Sequence, residues 1–384
     1  MIRLFLIFIL WAGIASAQVG YDPDRSDLRD TRSGLEVTLG LSDITPYRVF
    51  TLDAPRRLII DLQDVALTQS QAVALGTTDT ATELRAGPLR PGWSRLVGGL
   101  SGPLAVTEAG MTGTEEGATL RVMLRETTQE DFARDSGLPP DPGWEAVTGY
   151  DRATAEALAR SEDMIVVIDP GHGGIDPGAV EGGIREADLT LIMAAEVAVM
   201  LDALPRVQTV LTRTGDTYVS LSDRLTLARE VGADLFISLH ADALEDPAVE
   251  GATVYTLAPD SSDAATRRIV ERHERGDLLA GMDLQGVEDR VATALMSLAR
   301  AETGPAARRF ADALVAAMIR EGVRMNENPR RAANFAVLTA PDFPSVLVEM
   351  GFLSHPQDRA VLATSEGRAR IARAITDMVA LLAR

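Results

Sequence analysis

Residues 164–174 constrain this chain more than any other stretch. They read Met-Ile-Val-Val-Ile-Asp-Pro-Gly-His-Gly-Gly, a short apolar run that stops at an acid, a proline and a histidine set among glycines. An apolar run of this length, bounded by turn formers, suits a strand buried on both faces. Pro170 and the glycines forbid its continuation, so His172 is expected on a loop at the strand's C-terminal end. Glycines beside a histidine leave open space and let backbone approach closely, as a ligand site requires. One histidine proves little, so the rest of the chain must supply its partners.

From Met164 onward the pattern alternates between strand and helix. Apolar strands are expected over 164–169, 207–212, 235–239, 252–257, 336–339 and 346–350. Helical periodicity fits 188–204, 220–231, 306–321 and 366–383; Leu189, Met193, Met200 and Leu204, for example, fall on one stripe. This alternation predicts an α/β domain with a largely parallel sheet. Residues 260–303 break the rhythm. Two helices, over 263–279 and 287–301, are expected there as an insertion that delays the next core helix.

The preceding region follows a different period. Leu35, Val37, Leu39 and Leu41 point one way and Glu36 and Thr38 the other, and the same period of two returns around Leu58, Ile60 and Leu62 and around Leu120, Val122 and Leu124. Turn formers separate these runs, so 34–126 is expected to be a small all-β sandwich. Residues 18–33 are polar and charged and read as a flexible lead. Residues 127–163 hold Pro139-Pro140 and Asp141-Pro142-Gly143 and read as a linker, with a short helix near 154–160.

Composition narrows the chemistry. At 384 residues the chain has room for two domains. A formal charge of −19 argues against a nucleic-acid or anionic-membrane partner. There is no cysteine, which excludes disulfides, a thiol nucleophile and a thiolate metal site. Met1-Ile2-Arg3, an apolar run from Leu4 to Ile14 and Ala15-Ser16-Ala17 before Gln18 predict a cleaved signal peptide over 1–17 and a mature protein that is exported, soluble and without a stable membrane anchor.

Three predicted strands end in a group able to bind a metal or move a proton: the first delivers His172, 235–239 delivers His240, and 346–348 delivers Glu349. Open α/β sheets bind ligands outside the carboxyl ends of their strands, so parallel strands would bring the three to one edge. Two histidines without cysteine point to a catalytic zinc with an oxygen ligand, a type of site that keeps one position for water. The carboxylate should lie close to the His172 loop, and Asp176, Glu181, Glu186 and Asp188 are all candidates. Glu186 stands at the start of a helix, where it can reach back over the loop.

Five motifs occur in order: Asp169 to Gly174, Asp176-Pro177-Gly178-Ala179, Arg185-Glu186-Ala187-Asp188, Ser238-Leu239-His240-Ala241-Asp242 and Val348-Glu349-Met350-Gly351-Phe352-Leu353-Ser354. Over 164–384 the chain resembles the zinc-dependent N-acetylmuramoyl-L-alanine amidases, which cut bacterial cell wall. The resemblance implies a mixed, mostly parallel sheet flanked by helices, one Zn2+ held by His172, Glu186 and His240, and Glu349 as catalytic acid/base. Asp169 and Asp242 are further candidates, as groups that orient the ligands. The family often has Asn where this chain has His355, which reads as a surface residue. Tyr47 to Leu52, Arg57 to Leu62, Arg85-Ala86-Gly87 and Arg95-Leu96-Val97 resemble an AMIN domain, which implies a sandwich that localises the enzyme on peptidoglycan or at the division site.

The 260–303 insert resembles the regulatory helix segment of division amidases, in which a helix covers the zinc until an activator displaces it. Glu274 is the candidate cap, with His273 expected to be exposed. That resemblance implies a peptidoglycan substrate, an envelope activator protein that binds the insert, a periplasmic location and a role in daughter-cell separation. Two other readings fit parts of the pattern: a non-catalytic scaffold that kept the fold, and a zinc peptidase cutting within the stem peptide.

Overall fold

The computed structural model describes residues 18–53, 55–114, 116–137, 152–258, 264–280 and 290–383, with side chains of the insert described as far as His273 and again from Thr303. The signal peptide predicted over 1–17 lies outside these residues. Among the described residues no helix is long and apolar enough to cross a membrane.

The N-terminal unit contains β1 (Tyr21–Thr31), β2 (Gly34–Leu41), β3 (Tyr47–Leu52), β4 (Arg57–Gln63), α1 (Gln69–Leu75), β5 (Ala81–Arg90), β6 (Trp93–Leu100), β7 (Leu104–Thr114), β8 (Gly117–Glu126) and α2 (Gln129–Asp135). They build two antiparallel sheets, ordered β1-β2-β8-β7 and β3-β4-β6-β5. The period of two decides what lies between them: Leu35, Val37 and Leu39 pair in register with Leu124, Val122 and Leu120, and all are buried with Leu58, Ile60 and Leu62.

Two boundaries differ from the sequence reading. Residues 18–33 are not a flexible lead, because Tyr21–Thr31 forms the edge strand β1 paired to β2. An edge strand needs only one apolar side and tolerates charges on the rest, so Asp and Arg residues hid it. The assigned linker begins late: α2 is capped by Thr128 and seats Phe132, 1% exposed, in the sandwich core.

The C-terminal unit follows a short helix α3 (Arg152–Ala159), which matches the helix expected near 154–160. It then runs through β9 (Met164–Pro170), β10 (Val180–Glu181), β11 (Ile184–Arg185), α4 (Glu186–Leu201), β12 (Val207–Leu211), α5 (Leu221–Glu230), β13 (Leu235–His240), β14 (Ala252–Leu257), α6 (Ala264–Ala280), α7 (Arg290–Arg320), β15 (Met325–Ala333), β16 (Ser345–Glu349), α8 (Pro356–Leu362) and α9 (Ser365–Leu382). Six strands form one sheet, ordered β12-β9-β13-β16-β14-β15. The first four are mutually parallel, and β14 runs antiparallel to β16, so the sheet is mixed. Its faces divide by alternation: Val166 and Ile168 meet α4, α7 and α9, whereas Ile165 and Val167 face the side of α5. That two-faced burial is why the opening run is continuously apolar.

Three local assignments change. Residues 336–338 form a 3-10 turn, and the strand in that region is the more polar β15 just before it. The helix expected over 306–321 and the second insert helix are one element, α7, which runs through Pro305. The α8 helix had not been expected; His355 caps it and lies 3.0 Å from Glu250, partly buried rather than on the open surface.

Phe132→Ala should destabilise the sandwich by roughly 3 kcal/mol or more, as removal of a buried aromatic ring does. A shift of the sandwich's urea transition would show it. A variant with an unshifted transition would return α2 to the linker.

Candidate metal centre

The loop after β9 is set by buried charge. Asp169 is 1% exposed, and its carboxylate accepts from Thr212 Oγ1 and Arg224 Nη1, both at 2.6 Å, and from Ser238 Oγ at 2.7 Å. Burial disfavours the Asp169 anion, but Arg224 and the hydroxyls outweigh it and hold its pKa below the usual carboxylate range. Arg224 also donates to the Pro170 carbonyl (2.8 Å) and the His172 carbonyl (2.9 Å). Arg213 donates to the carbonyls of Pro170, Gly171 and Ala187 at 3.0, 2.9 and 2.8 Å. Asp169 therefore anchors the loop through Thr212, Arg224 and Ser238.

On this frame His172 takes a left-handed conformation, with φ of +61°, rare for a non-glycine residue and tolerated where surroundings fix it. Gly171 permits the crossing of the His172 and His240 loops: a Cβ there would lie 2.2 Å from the His240 ring.

Glu186, the first residue of α4, is fully buried. One carboxylate oxygen lies 3.2 Å from His172 Nε2, and the other lies 3.1 Å from His240 Nδ1. Backbone amides of Ala179 and Ala241 each donate to it at 2.9 Å. Of the other carboxylate candidates, Glu181 and Asp188 are exposed. Asp176 is buried and bonds the far nitrogen of His172, Nδ1, at 2.7 Å. It is the group placed to orient that ring, a residue considered in the sequence only as a candidate ligand.

Glu349 ends β16 in direct register with His240 on β13. Its Oε2 accepts the Asp242 amide at 3.1 Å. Burial, helped by the Glu186 charge, pushes Glu349 up to about 7. Asp242 is also fully buried and is bound by Arg272 of α6 at 2.8 Å.

The α6 helix contributes a further histidine. His273 is 6% exposed, contrary to the expectation that it faces solvent. Its ring stacks on His240 with centroids 3.9 Å apart, and its Nε2 lies 3.3 Å from Glu349 Oε1. The side chain of Glu274, the expected cap, lies outside the described residues. Burial lowers His240 to about 4 and His273 to about 3, while Asp176 and Glu186 overcome burial at His172 and raise it.

Ligand atoms of His172, Glu186, His240 and His273 all lie within 4.8 Å of one another. His172 Nε2, both His273 nitrogens and Glu349 Oε1 are buried without a hydrogen-bond partner. Unsatisfied buried polar atoms are costly, and a cation held by one atom from each residue of the cluster would relieve those that face it. Imidazole and carboxylate without thiolate are donors that suit zinc. The sequence held one clue to His273: there are four histidines in all, and three meet here. Arg213 and Arg224 had no such signal, because a buried arginine reads like any surface charge.

Fold and site together define a mixed α/β protein with a buried His/Glu cluster at the carboxyl ends of its strands. The family model described as N-acetylmuramoyl-L-alanine amidase matches residues 166–380, and the AMIN domain model matches residues 26–87. The chain is 29% identical over 380 residues to N-acetylmuramoyl-L-alanine amidase AmiC of Neisseria meningitidis, covering 91% of this chain and 86% of that protein. It is 35% identical over 234 residues to AmiA of Escherichia coli, covering 60% of this chain and 80% of that one. The structure of AmiC2 from Nostoc punctiforme aligns at 29% identity with a TM-score of 0.43, covering 58% of this chain and 99% of that one. This chain belongs to the N-acetylmuramoyl-L-alanine amidase family and carries an AMIN domain ahead of the amidase domain.

Arg224→Leu would strand the Asp169 carboxylate in the interior. It should cost about 3–5 kcal/mol, as loss of one partner of a buried pair does, and equilibrium unfolding would read it. A cost below about 1 kcal/mol, the range of surface pairs, would remove Arg224 as the loop's anchor.

Proposed function

We propose that this protein is an exported, zinc-dependent peptidoglycan amidase that its own insert holds shut. The observation that carries this reading is the buried cluster of His172, Glu186 and His240 beside Glu349, in a chain of this family. The reaction is hydrolysis of the amide between N-acetylmuramic acid and the L-alanine of the stem peptide. In this reading His172, Glu186 and His240 hold the ion, and Asp176 fixes the His172 ring so that Nε2 points to it. Zinc, when bound, polarises the scissile carbonyl and acidifies water. Glu349 takes the proton from the attacking water and returns it to the leaving amine. A carboxyl tuned to about 7 can do both near neutral pH.

The resting state is closed in this proposal by His273, one residue before Glu274, whose side chain lies outside the described residues. His273 stands against both His240 and Glu349, where water and substrate would have to enter. The Arg272–Asp242 pair pins the same turn of α6. An envelope activator would have to draw α6 away. We read 1–17 as a signal peptide, the sandwich as the module that localises the enzyme on the wall or at the division site, and the periplasm as the compartment. A role in daughter-cell separation follows in this reading from the resemblance of the insert to the regulatory segment of division amidases.

Purified protein, after release of the insert, should free stem peptides beginning with L-alanine from peptidoglycan, and a chelator should stop it. Shortened stems still attached to sugar would indicate a peptidase instead, and wall binding without products a scaffold. Glu349→Gln should keep zinc and lose turnover by 10²-fold or more, the scale of general acid–base catalysis; near wild-type hydrolysis would remove the assigned role. His273→Ala should raise basal activity without any activator. A folded variant showing no gain would end the proposal that His273 caps the site.

A further inference from the structure

The second sheet of the sandwich carries more apolar surface than its own core uses. In β4, Leu58, Ile60 and Leu62 belong to the sandwich core, while Ile59 belongs to a different cluster and is still fully buried. Phe50, Leu52, Leu89 and Val97 share that cluster. A sandwich sheet ordinarily buries one face and wets the other. Here the outer face is covered by Ile175 and Tyr218 of the amidase domain.

Ile175 lies between His172 and Asp176, inside the loop that presents the proposed ligand. Its amide donates to the Pro88 carbonyl of β5 at 3.1 Å. The two units meet backbone on backbone. A Cβ on Gly87 would lie 2.9 Å from Ile175 Cα, and one on Gly174 would lie 2.1 Å from the Pro88 oxygen. Arg213 and Arg224 brace the loop from within the amidase domain at Pro170, Gly171 and His172. Beyond His172 the loop is held by a Gly173–Asp176 bridge, by Asp216 on the Gly174 amide, and by the sandwich. The α6 helix, which carries His273, also lies against β6 of this same sheet.

We infer that the sandwich is a structural part of the catalytic centre. Its second sheet seats Ile175, and that seat fixes the turn from which Asp176 orients His172. Ile175 and Gly87 are positioning residues, acting through Asp176 and His172. A module that only carried the enzyme to its target would need no such contact with this loop. The effect on metal rests on the zinc reading above; the effect on loop order does not.

The test uses the full chain. Gly87→Val places bulk against Ile175 while leaving the residues of the sandwich core in place. Hydrogen exchange at the Ile175 amide should accelerate at least about 10-fold, with β2 and β8 amides as protected as before. Zinc release to a chelator should accelerate on the order of 10-fold, the scale of losing a group that orients a ligand. Gly87→Ala should give a smaller change of the same sign. Ile175→Ala should reproduce the Gly87→Val phenotype, and Ile175→Val should largely restore wild-type exchange and release. Unchanged Ile175 exchange in a Gly87→Val protein whose sandwich is folded would overturn the inference. Should Gly87→Val unfold the sandwich, the Ile175 pair decides: equal zinc release from Ile175→Ala and wild type overturns it. A protein that binds no zinc but still shows accelerated Ile175 exchange would keep the docking and remove the metal reading alone.

Discussion

The carboxylate of Glu186 is the group around which the amidase domain is arranged. It is fully buried, it touches both proposed ligand histidines, and two backbone amides point at it. A carboxylate so far from water is tolerated only when every side is compensated. Burial alone would raise its pKa, yet His172 and His240 hold it well below the usual range. Its place at the first turn of α4 adds the favourable end of the helix dipole. The compensation requires β9, β13 and α4 to meet at one point, and the parallel pairing of β9 with β13 brings that about.

A second layer keeps that meeting point in shape. The Asp169–Arg224 pair and Arg213 hold the loop backbone from inside, and the sandwich holds it from outside through Ile175. Glu349 arrives by register, one strand over from His240, on the strand where the sheet changes direction. The centre is thus formed by backbone geometry, and the insert then adds His273 to a site that the other elements have already built. A histidine suits both sides of such a contact. Its ring stacks on His240 in an apolar seat, and its nitrogens can be drawn to a cation or to the Glu349 carboxylate.

The site at the sheet edge was legible in the sequence because β9, β13 and β16 are apolar runs that end at or just before a titratable group. His172, His240 and Glu349 are visible by that rule without any knowledge of the fold. The proposed carboxylate ligand was not, since four acids lie within reach of the loop and only burial separates Glu186 and Asp176 from Glu181 and Asp188. Strand β1 was missed because an edge strand needs little apolar surface, and β15 because it begins Met-Asn-Glu-Asn-Pro and borrows its burial from α7. The docking of Ile175 left a trace that periodicity could register. Residues 58–60 are Leu-Ile-Ile where strict alternation would place one polar residue, and a strand buried on both faces needs a partner on its second face. The stacking of His273 left no trace in periodicity, because a histidine in a charged, amphipathic helix has the pattern of a surface residue, and only the small number of histidines hinted at it.

The proposed resting state can be tested at the metal. X-ray absorption on the zinc-loaded full chain counts imidazole and carboxylate ligands directly. Three histidines and one carboxylate around one zinc per chain are expected, with no ordered water in the first shell. Two histidines, a carboxylate and a water would contradict His273 as the group that closes the site.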